Sequence, residues 1–493
     1  MAKRTQLQRR PEYTSGLDHL PIEMLARIFE YRLHDTPDDT AHLSLVSHRW
    51  NDIVATTPAL WTNIVVHMDP TDPSWVPKAV AKLNLHAKRS GALMVWIELS
   101  CDIHPMGSGC EPIYGSLCQF NGRIRSLILT LPPSYIAAHT DEAVPEGATI
   151  LDVSNLRHLS VDALFDPDSV SEYQVSMFAV APSLRSIALA HASLDQFAFP
   201  WVQLEQLEAS GYDLHDCIHM LAQAPRLVRA SFALTTTMDR AEVPSAVSGR
   251  IVHPRLEEVK ILESRGFEPH ALEYFSFPAL RTLTVGTSDY DDQEMDVDEA
   301  EREDVLQPDV FSSFLRLSGD NLERLVILDA GRSDRATDVF FGLRVAELEV
   351  RRASYGFVRS FFGGMAHDAF LPRLKRIELH CLEQMETNAE EEDECDDDDD
   401  DDEGDDALDC DESTVLLAMR TGFAAIVKRN SEAGTRPGAP AAIRELTILS
   451  DGSKYELYYK YSAETLEQLQ LPRLLQLGVS VSVGSEDRRF YVV

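Results

Sequence analysis

Several features that mark particular classes of protein are scarce or missing in this chain of 493 residues. Its seven cysteines are an odd number without a Cys-x-x-Cys pair, which is unlike a secreted disulfide framework and indicates a reducing compartment. No stretch approaches the roughly 18 uninterrupted apolar residues that a membrane-spanning helix requires. The basic start, Met1 to Arg10, leads into no apolar run, so we predict no secretory signal. These absences predict a protein of the cytoplasm, the nucleus or both, with no membrane partner.

The short motifs of common catalytic and nucleotide-binding sites are also missing. GxGxxG, GxxxxGK[ST], GxSxG and HExxH do not occur, so a phosphate cradle, a nucleophile elbow and a helical zinc pair have no basis in the sequence. The nearest approach to a metal site is HDCIH, where His215 and His219 share a helix face with Cys217 between them, but no third ligand adjoins them. We interpret it as a helix surface. The sequence therefore predicts a protein that is not an enzyme and has no metal and no cofactor.

Basic residues are far fewer than acidic ones. The chain has 45 Lys and Arg and 81 Asp and Glu, which gives a net charge of −36. Two runs carry most of it: Asp289 to Asp304 has a net charge of −9 and Glu386 to Glu412 one of −19, which leaves −8 for the rest. Runs of this kind cannot bury a core, so we expect disordered acidic inserts at residues 287–305 and 386–412. The mildly acidic remainder offers little to phosphates, which predicts no nucleic-acid partner.

The most informative segment that is present runs from Leu20 to Trp61. Pro21 suits the first turn of a helix, and apolar residues then recur three or four apart, at Leu25, Ile28, Phe29 and Leu33. Thr40 can cap a second helix, and Ser47 can start a third that ends before Pro58. Units of roughly 40 to 60 residues lie near the lower limit for independent folding. We therefore expect three helices whose apolar surplus completes a core shared with another surface.

The runs LPIEMLARIF, LSLVSHRW and PALW in this segment resemble the F-box, whose helices dock on a Skp-type adaptor of Skp/cullin/F-box ubiquitin ligases. The resemblance implies an F-box at residues 15–64, after a disordered basic tail at residues 1–14. It also implies a set of residues that face the adaptor or hold the helices that do: Leu20, Pro21, Leu25, Ile28, Leu43, Val46 and Trp50. The chain departs from many family members at Ser47, where they have Cys, and in a longer, more polar linker from Leu33 to Thr40. The alternative is an ordinary helical hairpin packed on its own domain.

Beyond Trp61 one phrase recurs, Leu-x-x-Leu-x-Leu, often with a proline before it. Its second and third apolar positions are two apart, as in a strand, while the first lies in the turn that enters the strand. Segments between copies, such as DLHDCIHMLAQA and ALEYFSF, are typical of short return helices. The copies are GRIRSLIL, NLRHLSV, PSLRSIAL, VQLEQLEA, PRLVRASF, PRLEEVKI, PALRTLTV, NLERLVIL, VAELEV, PRLKRIEL, AIRELTIL and PRLLQLGV.

Because one strand with its return segment cannot cover its own apolar face, such units stack into a curved parallel sheet with helices outside. The repeat resembles a leucine-rich repeat, although the asparagine ladder of that family is missing, as in the degenerate repeats that accompany F-boxes in many fungal-type proteins. The predicted fold class is α/β: a three-helix F-box, then an irregular leucine-rich-repeat solenoid over residues 65–493 that holds the two acidic inserts. A nonrepetitive α/β domain with similar strands is the alternative.

The solenoid leaves one sheet face for recognition, where residues flanking the inward apolar positions are expected to point to solvent. The candidate substrate-binding residues are Lys260, Thr282, Arg324, Glu347, Glu349, Arg351, Arg376, Glu378 and His380. Their mixed charge favours a protein or peptide partner. The resemblance implies a substrate-recognition adaptor, bound to a Skp-type subunit and through it to a cullin. Two alternatives remain open: a non-ligase interaction scaffold and an acidic binder of basic nuclear proteins.

Overall fold

A computed structural model places the chain in two compact units, Met1–Leu204 and Glu205–Val493. The predicted basic tail and the acidic runs at 289–304 and 386–411 lie outside the residues that the structure describes. The described residues are 20–36, 40–69, 72, 74–101, 111–131, 151–163, 175–235, 250–263, 271–287, 308–328, 334–381, 412–435, 439–450, 470–485 and 488–492.

The first unit begins with helices and continues as alternating strands and helices or turns. Its helices are α1 Ile22–Asp35, α2 Thr40–Val46, α3 His48–Thr56, α4 Trp75–Arg89 and α5 Glu111–Leu117. Short 3-10 turns cover Pro58–Trp61, Cys118–Phe120 and Trp201–Gln203. Its strands are β1 Asn63–Met68, β2 Val95–Cys101, β3 Ile124–Thr130, β4 His158–Asp162 and β5 Ser186–Ala190.

The strands of this unit pair in parallel, each with its neighbour in the chain, from β1 to β5. Their alternation places apolar side chains on one face in a shared register, so that a buried row crosses the sheet. That row consists of Ile64, Ile97, Leu127, Leu159 and Ile187. The opposite side chains of the same strands form a second, more open face.

The second unit repeats this arrangement over a longer stretch. Its strands are β6 Gln206–Tyr212, β7 Arg229–Leu234, β8 Ile251–Val252, β9 Glu258–Glu263, β10 Phe275–Ser276, β11 Thr282–Thr287, β12 Arg324–Ile327, β13 Glu347–Ala353, β14 Arg376–Cys381, β15 Glu445–Ser450, β16 Ser480–Ser485 and β17 Arg488–Val492. Its helices are α6 Leu214–Gln223, α7 Pro308–Ser318, α8 Tyr355–Gly364, α9 Glu412–Glu432 and α10 Leu471–Gln476. Its 3-10 turns are Ala271–Tyr274, Gly319–Asn321 and Asp334–Phe340.

The main sheet of the second unit follows the order β6-β7-β9-β11-β12-β13-β14-β15-β16, and every pair in that run is parallel. The last strand, β17, is antiparallel to β16, and β8 pairs separately with β10. Parallel strands that follow one another in chain order are what stacked strand-plus-return units produce. The predicted α/β class with a large parallel sheet is confirmed, and the arrangement is consistent with a solenoid-like fold.

The recurring phrase marks the core of both units. Its first apolar residue is buried in each copy from NLRHLSV onward: Leu156, Leu184, Leu204, Leu227, Leu256, Leu280, Leu322, Val345, Leu374, Ile443 and Leu474. The predicted return helix DLHDCIHMLAQA forms α6, capped where the Asp216 amide donates to Asp213 Oδ1 at 2.8 Å. ALEYFSF is a 3-10 turn followed by β10 rather than a helix throughout.

One copy of the phrase is not the strand that its pattern indicates. PRLLQLGV lies in α10 and the turn after it, where the Leu474 amide donates to the Gln470 carbonyl at 3.1 Å and the Leu477 amide to that of Arg473 at 3.1 Å. Gly478 has φ +76, a left-handed conformation that favours glycine and commonly follows a helix. The strand therefore starts later, at Ser480.

Candidate functional site

The N-terminal helices are held by an apolar core of their own. Ser47 caps α3 by accepting the Trp50 amide at 3.2 Å, and Arg49 donates to the Leu20 carbonyl, which ties the chain before α1 to α3. The Phe29 and Trp50 rings pack with their centroids 4.6 Å apart. The buried core consists of Leu25, Phe29, Leu33, Ile53, Val54, Leu60 and Trp61.

Helix α4 covers one side of this core through polar contacts with its backbone. Trp61 donates from Nε1 to the Val54 carbonyl at 2.7 Å, and His86 Nδ1 lies 3.1 Å from the Trp61 carbonyl. Arg89 donates to the Ala55 carbonyl at 2.8 Å while its guanidinium lies 5.4 Å from the Trp61 ring centroid. These contacts fix the end of α3 and the following turn against α4.

Other large apolar side chains of the same helices are exposed. On α1, Met24, Ile28 and Tyr31 are 53%, 45% and 75% exposed, and their i, i+4, i+7 spacing places them on one helix face. On α2, Leu45 and Val46 are 82% and 60% exposed. We call these five residues the apolar stripe. Large apolar side chains grouped on one helix face, as the three of α1 are, mark surfaces that a partner covers, whereas single exposed ones need no explanation.

The residues implied to bind or support an adaptor have different positions. Pro21, Ile28 and Val46 are exposed, while Leu20, Leu43 and Trp50 are half-buried against the core. Leu25 is 1% exposed, so it holds the helices together and offers no surface. Met24, Tyr31 and Leu45 were not identified from the sequence, although the spacing of Met24 and Tyr31 around Ile28 was a readable signal.

The sheet face of the second unit brings the candidate substrate-binding residues together. Thr282, Arg324, Glu347 and Arg376 are successive register partners on β11 to β14. Two residues further along the strands, Lys260 on β9 is the register partner of Thr284 on β11, and Glu349 on β13 is the register partner of Glu378 on β14. Arg351 and His380 follow those two glutamates by two residues and so lie on the same face.

These side chains form an ion-pair network rather than an open set of charges. Glu349 accepts from Arg324 and from Arg351 at 2.8 Å each. Glu378 lies 3.2 Å from both Arg376 Nη2 and His380 Nε2, and Arg376 Nε lies 3.6 Å from Glu445. The expected exposure is wrong for Glu349, Glu378 and His380, which are 8%, 9% and 2% exposed, and holds for Arg324 and Arg351.

Two members of this network, Glu349 and Arg324, have shifted pKa values. Burial by itself raises the pKa of Glu349, but the hydrogen bonds from Arg324 and Arg351 outweigh it and leave that pKa below its usual value. The hydrogen bond to Glu349 in turn raises the pKa of Arg324. Glu349 is therefore ionised at neutral pH beside the guanidinium groups of Arg324 and Arg351, which are the exposed members of the network.

The other features singled out in the sequence show no cluster of metal ligands. Burial raises the pKa of the Cys217 thiol, while His215 and His219 point to solvent on α6. Within the described ranges, no group of three or more His, Cys, Asp or Glu side chains could hold a metal ion. No helix among the described residues is long and apolar enough to cross a membrane.

Comparison with known protein families identifies the N-terminal helices. Residues 17–67 match the F-box-like family, a range that includes the whole of α1, α2 and α3, the 3-10 turn after them and most of β1. No curated protein matches the chain. The chain thus carries an F-box-like domain at its N-terminal helices, and such a domain indicates an adaptor that acts through protein interactions.

Proposed function

We propose that this protein is the substrate-recognition adaptor of a Skp/cullin/F-box E3 ubiquitin ligase. The F-box-like domain docks on a Skp-type subunit, which links it to a cullin, and the repeat region binds a substrate protein. The observation that carries the proposal is the apolar stripe: three large side chains on one face of α1 and two on α2 are exposed, and none of them belongs to the buried core of the F-box-like domain.

The burial pattern supports docking through this surface. The core of the three helices contains Leu25 and Phe29, and α4 packs on the end of α3, so the stripe is not needed for the fold of the domain. Burial of apolar surface is favourable by about 25 cal/mol per Å². Binding of a partner that covers the stripe is therefore favourable. The proposal adds to the implied set Met24, Tyr31 and Leu45, and it assigns Leu25 a supporting role.

The repeat region is proposed to be a degenerate leucine-rich-repeat solenoid of the fungal type that presents a substrate. Its parallel strands in chain order and its buried first leucines support this interpretation. In this proposal the protein is not an enzyme, because ubiquitin transfer belongs to other subunits. We place this function in the cytoplasm, the nucleus or both. It requires no membrane partner.

The direct experiment is affinity purification of the tagged full-length chain, followed by detection of the adaptor and the cullin. We expect both to co-purify with the natural chain, and both to be lost with Ile28→Asp, because a carboxylate in a desolvated apolar contact is strongly disfavoured. The matched control is Val180→Asp, which places the same charge at a valine of the first unit that is 76% exposed. Recovery of the adaptor without the cullin would instead identify a non-ligase scaffold. Recovery of neither the adaptor nor the cullin with the natural chain would refute the proposal.

A further inference from the structure

The entry to the strands of the first unit carries a row of arginines. The Arg157 amide donates to the Arg125 carbonyl at 2.8 Å, and the Arg185 amide donates to the Arg157 carbonyl at 3.0 Å. These bonds place the three arginines side by side at the entries of β3, β4 and β5, about 4.8 Å apart in the hydrogen-bonding direction. All three side chains are exposed. We call Arg125, Arg157 and Arg185 the arginine row.

At the entries of β9, β11 and β12 in the second unit, the same position alternates in sign. The Arg281 amide donates to the Glu257 carbonyl at 2.8 Å, and the Glu323 amide donates to the Arg281 carbonyl at 2.8 Å, so Arg281 has an acid on each side. Its guanidinium lies 3.7 Å from the carboxylate of Glu257 and 3.6 Å from that of Glu323. The positive charge of Arg281 is thus neutralised by its neighbours, whereas Lys375 and Arg444, which hold the same position before β14 and β15, place like charges side by side.

The arginine row has no such neutralisation at its first two members. Among the residues that the structure describes, no carboxylate forms an ion pair with Arg125 or Arg157. Like charges on neighbouring strands are unfavourable when they stand alone. An external anion that bridges the two guanidinium groups would remove this repulsion, and the planar arginine fork is suited to bidentate binding of carboxylates.

An aromatic ring adjoins the row. The Arg125 guanidinium lies 5.8 Å from the centroid of the Trp96 ring, and Trp96 is 42% exposed on the open face of the first-unit sheet. Stacking on the ring orients the guanidinium, and the rest of the ring is an apolar surface beside it. Tryptophan and arginine are the residue types most enriched among the energetic centres of protein interfaces.

We propose that the arginine row and Trp96 bind an acidic peptide segment of a partner protein. The segment is extended, its carboxylates are bound by Arg125 and Arg157, and a neighbouring apolar side chain packs on Trp96. Alternate residues of an extended chain lie roughly 6.6 Å apart on one side, a spacing that two flexible arginine side chains on adjacent strands can reach. The identification of this partner as a substrate rests on the proposed function. Its binding chemistry does not.

The charge of the chain favours a short acidic segment over a long polyanion. The net charge of −36 opposes any ligand that extends far along the surface, such as a nucleic acid. Screening acts over about 8 Å at physiological ionic strength, so a short segment on the arginine row is affected mainly by the groups around it. Those groups include the guanidinium groups of the row and the Trp96 indole ring.

The test is fluorescence anisotropy with the purified full-length chain and a labelled synthetic peptide that has glutamate at alternate positions and leucine between them. The natural chain is expected to bind it, and the double variant Arg125→Gln with Arg157→Gln to bind it about tenfold more weakly or worse, because two charge-assisted contacts are lost. The matched control Arg281→Gln removes one arginine from the equivalent position of the second unit and should leave the affinity unchanged. Circular dichroism confirms that each exposed substitution leaves the fold intact.

Two further peptides decide the chemistry. A version with glutamine in place of glutamate should not bind, and equal binding of that peptide would overturn the proposal. Unchanged affinity of the double variant would also overturn it. Binding of a phosphoserine version alone, with no binding of the glutamate peptide, would overturn the assignment of carboxylates. Because no adaptor or cullin is present, failure here leaves the adaptor proposal standing, and failure of adaptor binding leaves this result unaffected.

Discussion

The Phe29 and Trp50 rings lie 4.6 Å apart, centroid to centroid, at an interplanar angle of 52°, and this contact joins α1 to α3. Phe29 is fully buried, whereas Trp50 is half-buried at the edge of the same core. The Phe29–Trp50 contact therefore lies at the boundary between two groups of residues in this domain. Residues on the Phe29 side hold the helices together, and residues on the neighbouring face of α1 remain available for a partner.

The first prediction concerns stability of the N-terminal helices. Phe29→Ala should lower the free energy of unfolding of this domain by about 3–5 kcal/mol, and Leu25→Ala by about 2–5 kcal/mol, because each removes a fully buried side chain. Met24→Ala, on the exposed stripe, should change it by no more than about 0.5 kcal/mol. Urea unfolding followed by circular dichroism measures all three. Equal stability of the Leu25 and Met24 variants would contradict the assignment of the two faces.

This prediction also determines which substitutions can test docking. Loss of binding in a Leu25 variant would not identify a contact, because its core would be damaged. Ile28 gives an unambiguous result, since it is 45% exposed and lies one helical turn from Met24.

A second prediction concerns the ion-pair network of the second unit. The folded-state pKa of Glu349 is below its ordinary value, so its contribution to stability is complete above the unfolded pKa and is lost as the pH falls through the folded pKa. Glu349→Gln should therefore lower the free energy of unfolding by about 1–3 kcal/mol at neutral pH. The difference should narrow as the pH falls below the ordinary pKa of glutamate, because the unfolded chain gains a proton first and the folded carboxylate gains one only at lower pH.

The control for that measurement is Glu347→Gln, two residues earlier on the same strand and the same face. Glu347 is half-buried and forms no ion pair with another described residue, so its loss should change the free energy of unfolding by about 0.5 kcal/mol or less. A Glu349→Gln difference that stayed constant from neutral to acidic pH would show that charge is not its cause.

A third prediction concerns two helical glycines. A Cβ atom at Gly422 of α9 would overlap the Phe362 ring of α8, whereas one at Gly363 of α8 would meet open space. Overpacking costs about 1–3 kcal/mol, more than the gain of about 1 kcal/mol from the better helix propensity of alanine. Gly422→Ala should therefore lower the melting temperature and Gly363→Ala should raise it slightly. A rise in both would mean that α8 and α9 do not pack as closely as described.

Local signals in the sequence were sufficient for much of the fold. The spacing of leucines two apart after a turn predicted the parallel strands, and the segment DLHDCIHMLAQA was predicted to be a return helix, which is α6. The pattern failed at PRLLQLGV because a helix and a strand entry share the same apolar spacing over six residues, and only Gly478 distinguishes them.

The candidate sites were harder to predict because each depends on contacts between elements. Alternation along β13 correctly placed Glu347, Glu349 and Arg351 on one face. It could not reveal that Arg324, from the neighbouring strand, reaches Glu349, because that requires the register between strands. On α1, periodicity gives the spacing of Leu25 and Ile28 but not the edge of the core between them, which depends on where α3 packs.

Isothermal titration calorimetry gives the affinity of the purified full-length chain for a purified Skp-type adaptor, and this affinity shows whether α1 docks on the adaptor. The natural chain and the Val180→Asp control should bind with the same affinity. Ile28→Asp should reduce the affinity by at least about a hundredfold, since burial of an unpaired charge costs several kcal/mol, while the circular dichroism spectrum is unchanged. Undiminished binding by the folded Ile28→Asp variant would contradict the account.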